Sequence, residues 1–230
     1  MVVEPDVAAA AALFADRARA AMLSALLDRT PRSAGQLALE ANVSPQSASF
    51  HLAKLASAGL LNCERHGRSH VYRLSGSAVA RAIEALGTLA SRPLTPANRP
   101  MAPLRAARTC YDHLAGVAGV GLHDALWRLG YFKPNGPKEY RLSIKGREWM
   151  AALDVEACAW RKRSLIARPC LDWSERRPHL AGRLAAHLLD RFLEQGWIVR
   201  LPETRAVRIT QRGLRQFEKH YGVSLKAIAL

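Results

Sequence analysis

Ser44-Pro45-Gln46-Ser47-Ala48-Ser49-Phe50-His51-Leu52-Ala53-Lys54-Leu55-Ala56-Ser57-Ala58-Gly59 is the stretch on which the fold turns. Ser44 before Pro45 has the form of an N-cap followed by proline at the first helical position. Gly59 stands where a helix from Pro45 to Ala58 would end. Within it Ala48, Leu52, Leu55 and Ala56 recur at helical spacing and define a face to be buried. The opposite face carries Gln46, Ser47, Ser49, Phe50 and Lys54. Upstream, Asn42-Val43-Ser44 reads as a tight turn and Ser33 opens a short helix to Asn42. Before that, Val7 to Leu27 is Ala- and Leu-rich without Pro or Gly, which predicts a helix. Downstream, residues 60–65 and 71–74 predict two short strands joined by His66-Gly67-Arg68-Ser69, and residues 77–90 predict a further helix.

Helix, short helix, turn, polar-faced helix, basic hairpin and helix is the order of a winged helix-turn-helix. A helix of this kind fits the major groove of double-stranded DNA, where short polar side chains reach base edges. The DNA-contacting set expected on this basis is Ser44, Gln46, Ser47, Ser49, Phe50, His51 and Lys54 on the helix, with Arg65 and Arg68 on the wing. For His51 a phosphate contact or a packing role is the expectation.

Residues 44–52, Leu55, Ala58-Gly59-Leu60 and Gly67-Arg68 resemble the recognition helix and wing of the ArsR-type metalloregulator superfamily, over about 80 residues of the chain. The resemblance implies a homodimer paired through the first and last helices of this domain, seated on an operator near its own promoter. The chain departs from that pattern at the metal sites. The helix before the turn reads Gly35-Gln36-Leu37-Ala38-Leu39-Glu40, without the family's Cys-x-Cys pair, and residues 77–92 contain neither Asp nor His. Metal sensing by those routes is therefore not expected.

The formal net charge of +15 favours a polyanionic partner. Residues 1–92 hold 10 Lys+Arg against 7 Asp+Glu, whereas residues 93–230 hold 24 against 12, so most of the charge lies outside the expected DNA-binding segment. No apolar run approaches the roughly 20 residues of a membrane span, and the N-terminus lacks a basic signal-peptide region. A cytoplasmic protein with no membrane partner is expected. The cysteines Cys63, Cys110, Cys158 and Cys170 form no CxxC and no disulfide framework.

Four prolines within residues 91–104 mark a connector. The expected domains are residues 1–92 for DNA binding and dimerisation, a proline-rich linker at 93–104, and a C-terminal sensor or ligand-binding domain at 105–230. The last contains an internal repeat, with copies at about 105–155 and 165–225. Arg108-Thr109-Cys110-Tyr111-Asp112-His113-Leu114-Ala115-Gly116 matches Arg168-Pro169-Cys170-Leu171-Asp172, an insert from Trp173 to Pro178, then His179-Leu180-Ala181-Gly182. Each copy continues as helix, Gly-aromatic strand, turn, strand and Ser- or Thr-capped helix. The fold class is accordingly mainly α with small β-hairpins: an N-terminal winged helix-turn-helix followed by a tandem of two winged-helix-like repeats, packed as a pseudo-dimer with a cleft on its internal axis.

The duplicated polar set is Cys110, Asp112, His113, Cys170, Asp172 and His179. Cys110 and His113, three apart, would share a helix face. Three readings are open. The two copies could unite Cys110, His113, Cys170 and His179 as a shell for zinc or another thiophilic metal, with the aspartates behind the ligands. The thiols could instead be reactive toward a small molecule. Or a buried Cys, a helix-capping Asp with its Arg partner, and a His bonded to a carbonyl could form a structural turn in both copies. No cofactor is fixed by the residues alone. Gly116-x-x-Gly119-x-Gly121 is read as helix packing, and Trp173 as a ligand contact to watch.

The function expected is a sequence-specific, homodimeric transcriptional repressor whose C-terminal domain answers a small ligand, metal or thiol-reactive signal. No nucleophile–base–acid arrangement is legible, so an enzyme is not expected. The alternatives are a DNA-tethered enzyme built on the Cys/Asp/His cluster and an architectural DNA binder without effector.

Overall fold

A computed structural model describes residues 4–67, 69–90, 101–136, 138–152, 167–202 and 204–226. Arg68, Cys158 and the linker residues 91–100 lie outside them. The chain divides into two units, residues 1–87 and 88–230.

In the first unit the predicted single helix over Val7 to Leu27 is two, α1 (Val7–Ala15) and α2 (Arg17–Ala25), followed by a 3-10 turn at Leu26–Asp28. Asp16 makes the break: its extended backbone ends α1 and its carboxylate accepts from the Arg19 N–H, capping α2. A two-residue strand β1 (Arg32–Ser33) then leads to α3 (Ala34–Ala41), where Ser33 and Gln36 form a capping box. Asn42, in the left-handed region at φ 51°, turns the chain into α4 (Pro45–Ser57), capped by Ser44. Strands β2 (Leu61–His66) and β3 (Ser69–Leu74) form the hairpin, and β1 pairs with β3, a third strand that sequence patterning missed. Helix α5 (Ser77–Leu89) follows. Met22, Leu23, Leu27, Leu37, Leu52 and Leu55 are fully buried and hold α2, α3 and α4 together.

The second unit begins with α6 (Met101–Ala106), so residues 101–104, read as the end of an extended connector, are helical. Then the same order runs twice. First come β4 (Arg108–Cys110), β5 (His113–Ala115), α7 (Gly116–Arg128), β6 (Phe132–Pro134), β7 (Tyr140–Leu142) and α8 (Ile144–Ala151). The second pass is β8 (Arg168–Leu171), β9 (Pro178–Ala181), α9 (Arg183–Glu194), β10 (Ile198–Arg200), β11 (Val207–Ile209) and α10 (Gln211–Tyr221). Hydrogen bonds repeat as well. The Ser143 hydroxyl donates to the Gly130 carbonyl at 2.6 Å and the Thr210 hydroxyl to that of Gly196 at 2.7 Å. In the first unit Ser75 does the same to Gly59 at 2.6 Å.

The two passes interlock. Helix α7 packs on β9 and α9 on β5, so each helix covers the other pass's hairpin and β5 lies beside β9. One core results, with Leu114, Leu122, Leu126, Leu180, Leu184, Leu188, Leu189 and Phe192 among its members. Gly119 lets α7 fold tightly onto its own β5: a Cβ there would stand 2.4 Å from the Leu114 carbonyl oxygen. The glycines at 116, 119 and 121 thus serve packing, as expected.

Candidate functional site

The first unit offers a nucleic-acid interface built from α4 and the hairpin. Burial of Ala48, Leu52 and Leu55 anchors α4 and turns Gln46, Ser47, Ser49, Phe50 and Lys54 to the exterior. Phe50 is 67% exposed, a large apolar ring with no core to enter. Ser44 is exposed but engaged: its Oγ accepts from the Ser47 N–H at 3.2 Å and lies 3.1 Å from the Ser47 hydroxyl. The Ser49 hydroxyl donates to the Pro45 carbonyl at 2.9 Å and keeps its lone pairs outward. His51 stands apart from this face. It is half-buried against α2, with Nδ1 3.5 Å from the Arg19 guanidinium and 3.8 Å from Asp16 Oδ1. The packing role weighed for it is the one its surroundings provide. On the wing, Arg65 is exposed and its Nε donates to the Gly67 carbonyl at 3.1 Å, which arches the side chain over the hairpin tip.

The second unit contains a different constellation. Cys110 and His113 do not share a helix face, as their spacing had implied. They are cross-strand partners at the end of the β4–β5 hairpin, joined by Tyr111 at φ 60° and Asp112. Side chains paired across an antiparallel ladder are direct neighbours, so the clip survives the change of element. Cys170 and His179 are cross-strand partners in the β8–β9 hairpin, although six more residues separate them. The insert lengthens the loop and leaves the Cys–His register intact.

Because β5 and β9 adjoin, the two clips meet. One ligand atom from each of Cys110, His113, Cys170 and His179 lies within 4.8 Å of every other. The imidazole centroids of His113 and His179 are 5.1 Å apart. Cys110, His113 and His179 are buried, with His179 fully so, and Cys170 is half-buried. The buried Nε2 of His113 and both ring nitrogens of His179 make no hydrogen bond. Leaving such groups unpaired costs about 1–3 kcal/mol each, which makes them out of place in a purely structural turn. The Cys110 thiol, then the rings of His113 and His179, hold Cys170 far below the ordinary thiol range against the effect of burial. Burial opposes the charged form of His113, yet Asp112 and Cys170 outweigh it and raise its pKa.

Each carboxylate stands behind a histidine. Asp112 Oδ1 is 2.8 Å from His113 Nδ1, and Asp172 Oδ2 is 3.4 Å from His179 Nδ1. Asp172 has a second task that the sequence did not place. Wholly buried, it accepts from the Arg108 guanidinium at 2.8 Å, the Gly116 N–H at 2.7 Å and the Ser174 hydroxyl at 2.7 Å. It therefore caps α7 of the other pass. Arg108 and these hydrogen bonds hold it far below the carboxylate range despite burial. The capping Asp with an Arg partner and the four-residue cluster coexist, whereas the carbonyl-bonded His of the structural-turn reading is not found. The Arg108 guanidinium lies 4.2 Å above the ring of Trp173, which is half-buried.

Residues 14–64 match a helix-turn-helix domain model. An uncharacterized HTH-type transcriptional regulator of Bacillus subtilis (strain 168), YdfF, is 42% identical over 225 residues, spanning 96% of this chain and 99% of that protein. This chain belongs to the HTH-type transcriptional regulators. Similarity to that relative runs through both units. Solved structures similar to the chain include HlyU from Vibrio cholerae N16961, 31% identical over 39% of this chain and 100% of that one, TM-score 0.35. Another is the cadmium metal-sensor CMTR from Mycobacterium tuberculosis, 32% identical over 40% of this chain and 100% of that one, TM-score 0.32. No helix among the described residues of this regulator is long and apolar enough to cross a membrane.

Proposed function

We propose that this regulator is a cytoplasmic homodimeric repressor, reading an operator with α4 while its second unit answers an effector through the Cys/His cluster. The observation that carries the DNA-reading part is the two-sided α4. Its buried Ala48, Leu52 and Leu55 fix the helix, and Gln46, Ser47, Ser49 and Lys54 face outward beside a basic hairpin. Dimerisation is supported by apolar surface with no cover within the unit. No residue of α1, an almost wholly apolar helix, is buried, and on α5 Leu86 and Leu89 are 45% and 79% exposed. Binding rather than catalysis is favoured for the second unit, since four potential ligand side chains converge there, as many as a closed tetrahedral site uses, which would leave no position for substrate.

The test is fluorescence anisotropy of the full chain on DNA from upstream of its own gene, against a scrambled duplex. Gln46→Ala and Ser49→Ala are each expected to weaken specific binding by about 1–3 kcal/mol while leaving scrambled-duplex binding unchanged. Equal affinity of wild type and both variants for the two duplexes would refute base reading by α4.

A further inference from the structure

We propose that Cys110, His113, Cys170 and His179 form a closed, four-coordinate site for a divalent, thiophilic metal ion of the zinc class. The site gives a chemical identity to the effector reading above and rests on that reading for its consequence, not for its existence. Four features support it. A tetrahedral ion bound to sulfur at about 2.3 Å and nitrogen at about 2.0–2.1 Å requires ligand atoms roughly 3.3–3.8 Å apart. The four atoms already lie within 4.8 Å of one another, so small side-chain rotations suffice. Two thiolates and two neutral imidazoles also balance a dication, which removes the cost of leaving charge in a buried place.

The ring nitrogens provide the third feature. Asp112 is hydrogen-bonded to Nδ1 of His113 at 2.8 Å and so directs Nε2 of that ring to the ion. Asp172 Oδ2 lies 3.4 Å from Nδ1 of His179, close enough to take up the same role once the ring turns to a metal. The unpaired Nε2 atoms of both rings are then accounted for. Fourth, each ligand pair is a hairpin clip, and the crossing of α7 onto β9 and α9 onto β5 holds the clips face to face. An S2N2 tetrahedron suits zinc above the metals that prefer square-planar or octahedral oxygen-rich sites. Binding releases to solvent whatever protons Cys110, Cys170 and His113 still carry, so that two thiolates and two neutral imidazoles face the ion, and it breaks no other covalent bond. The ion would rivet the two passes of the second unit together, and its loss would free the hairpin ends.

The experiment uses the full chain purified under reducing conditions from zinc-supplemented medium. Elemental analysis should find about one zinc per chain, and X-ray absorption two sulfur and two nitrogen neighbours at about 2.3 and 2.0–2.1 Å. Cobalt(II) added to the metal-free chain should produce the intense visible bands of a tetrahedral thiolate complex. Cys170→Ser and His113→Gln should lose that spectrum, and Cys63→Ser should keep it. The wild-type cobalt titration needs no variant to fold, so it decides the matter if Cys170→Ser does not. A metal-free protein with no cobalt spectrum, or one whose thiols yield a Cys110–Cys170 disulfide in place of binding metal, overturns the site. Operator affinity is then compared with and without bound metal, and about a 5- to 150-fold difference is expected for allosteric coupling. Metal bound with operator affinity unchanged would leave the site standing and overturn the effector reading. Absent metal with operator binding intact would overturn the site and leave DNA reading by α4 standing.

Discussion

Replacing Asp172 by Asn should unfasten the second unit. The carboxylate lies at 0% exposure and receives Arg108 at 2.8 Å, the Gly116 N–H at 2.7 Å, and Ser174 through both its N–H, at 2.9 Å, and its hydroxyl, at 2.7 Å. Asparagine keeps the size but has one acceptor oxygen, and it turns an NH2 toward a place occupied by donors. It also strands the Arg108 guanidinium, itself 0% exposed, without its counter-charge. Removing one member of a buried ion pair costs about 3–5 kcal/mol. With an m-value of about 2 kcal/mol per molar urea, the unfolding midpoint should fall by about 2 M.

Tryptophan fluorescence is the natural assay, because all five tryptophans, at 127, 149, 160, 173 and 197, lie in the second unit. The first unit is silent in that signal. Arg108→Met combined with Asp172→Leu should recover part of the loss, since apolar replacement of both partners is often near neutral. The effect also has a pH signature. The folded-state pKa of Asp172 is depressed, so its contribution is complete above the unfolded carboxylate value of about 3.9 and is lost as pH falls through the folded value. The gap between wild type and Asp172→Asn should therefore narrow below about pH 4. A midpoint within about 0.3 M of wild type at neutral pH would refute the assignment of Asp172 as the buried anchor between the two passes.

The wing should contribute without specifying sequence. Arg65→Ala is expected to weaken binding to all duplexes alike and to reduce the salt slope by about one, and a wild-type slope in a salt titration would exclude wing contact. Arg68, outside the described residues, is expected to behave the same way. Leu86→Lys with Leu89→Lys should shift the chain from dimer to monomer in sedimentation velocity, since burying each leucine is worth about 1.5–3 kcal/mol. An undisturbed dimer would place the interface elsewhere.

The first unit was legible because its information is local. Ser44-Pro45 announces a helix start, Gly59 an end, and the spacing of Ala48, Leu52 and Leu55 says which face is hidden. What escaped was non-local or a single-residue interruption: β1 exists through pairing with β3, and the break between α1 and α2 depends on Asp16 preferring to cap rather than continue. In the second unit the matching stretches of sequence marked six residues worth comparing, and the elements that carry them run twice in the same order. Which element holds them was not legible. A three-residue separation satisfies a helix turn and a two-residue hairpin turn equally, and Tyr111 in the left-handed region decides for the hairpin.

By itself, then, the sequence determined the helix–hairpin–helix that ends each copy, the outward face of α4 and the matching of one Cys with one His in each copy, but not the hairpins β4–β5 and β8–β9 that carry those residues. Tertiary structure decided which groups share a place. Only the crossing of α7 and α9 sets the two hairpins side by side, gathers four ligand atoms within 4.8 Å and sends Asp172 to the N-terminus of α7. Symmetry-related residues need not be equivalent in use: Asp112 stays beside its own histidine, while Asp172 also locks Arg108 across the interface between the passes. Contacts of that kind join residues more than sixty positions apart, and no local preference encodes them. They arise because an interlocked core leaves Arg108 and Asp172 buried with each other as partners.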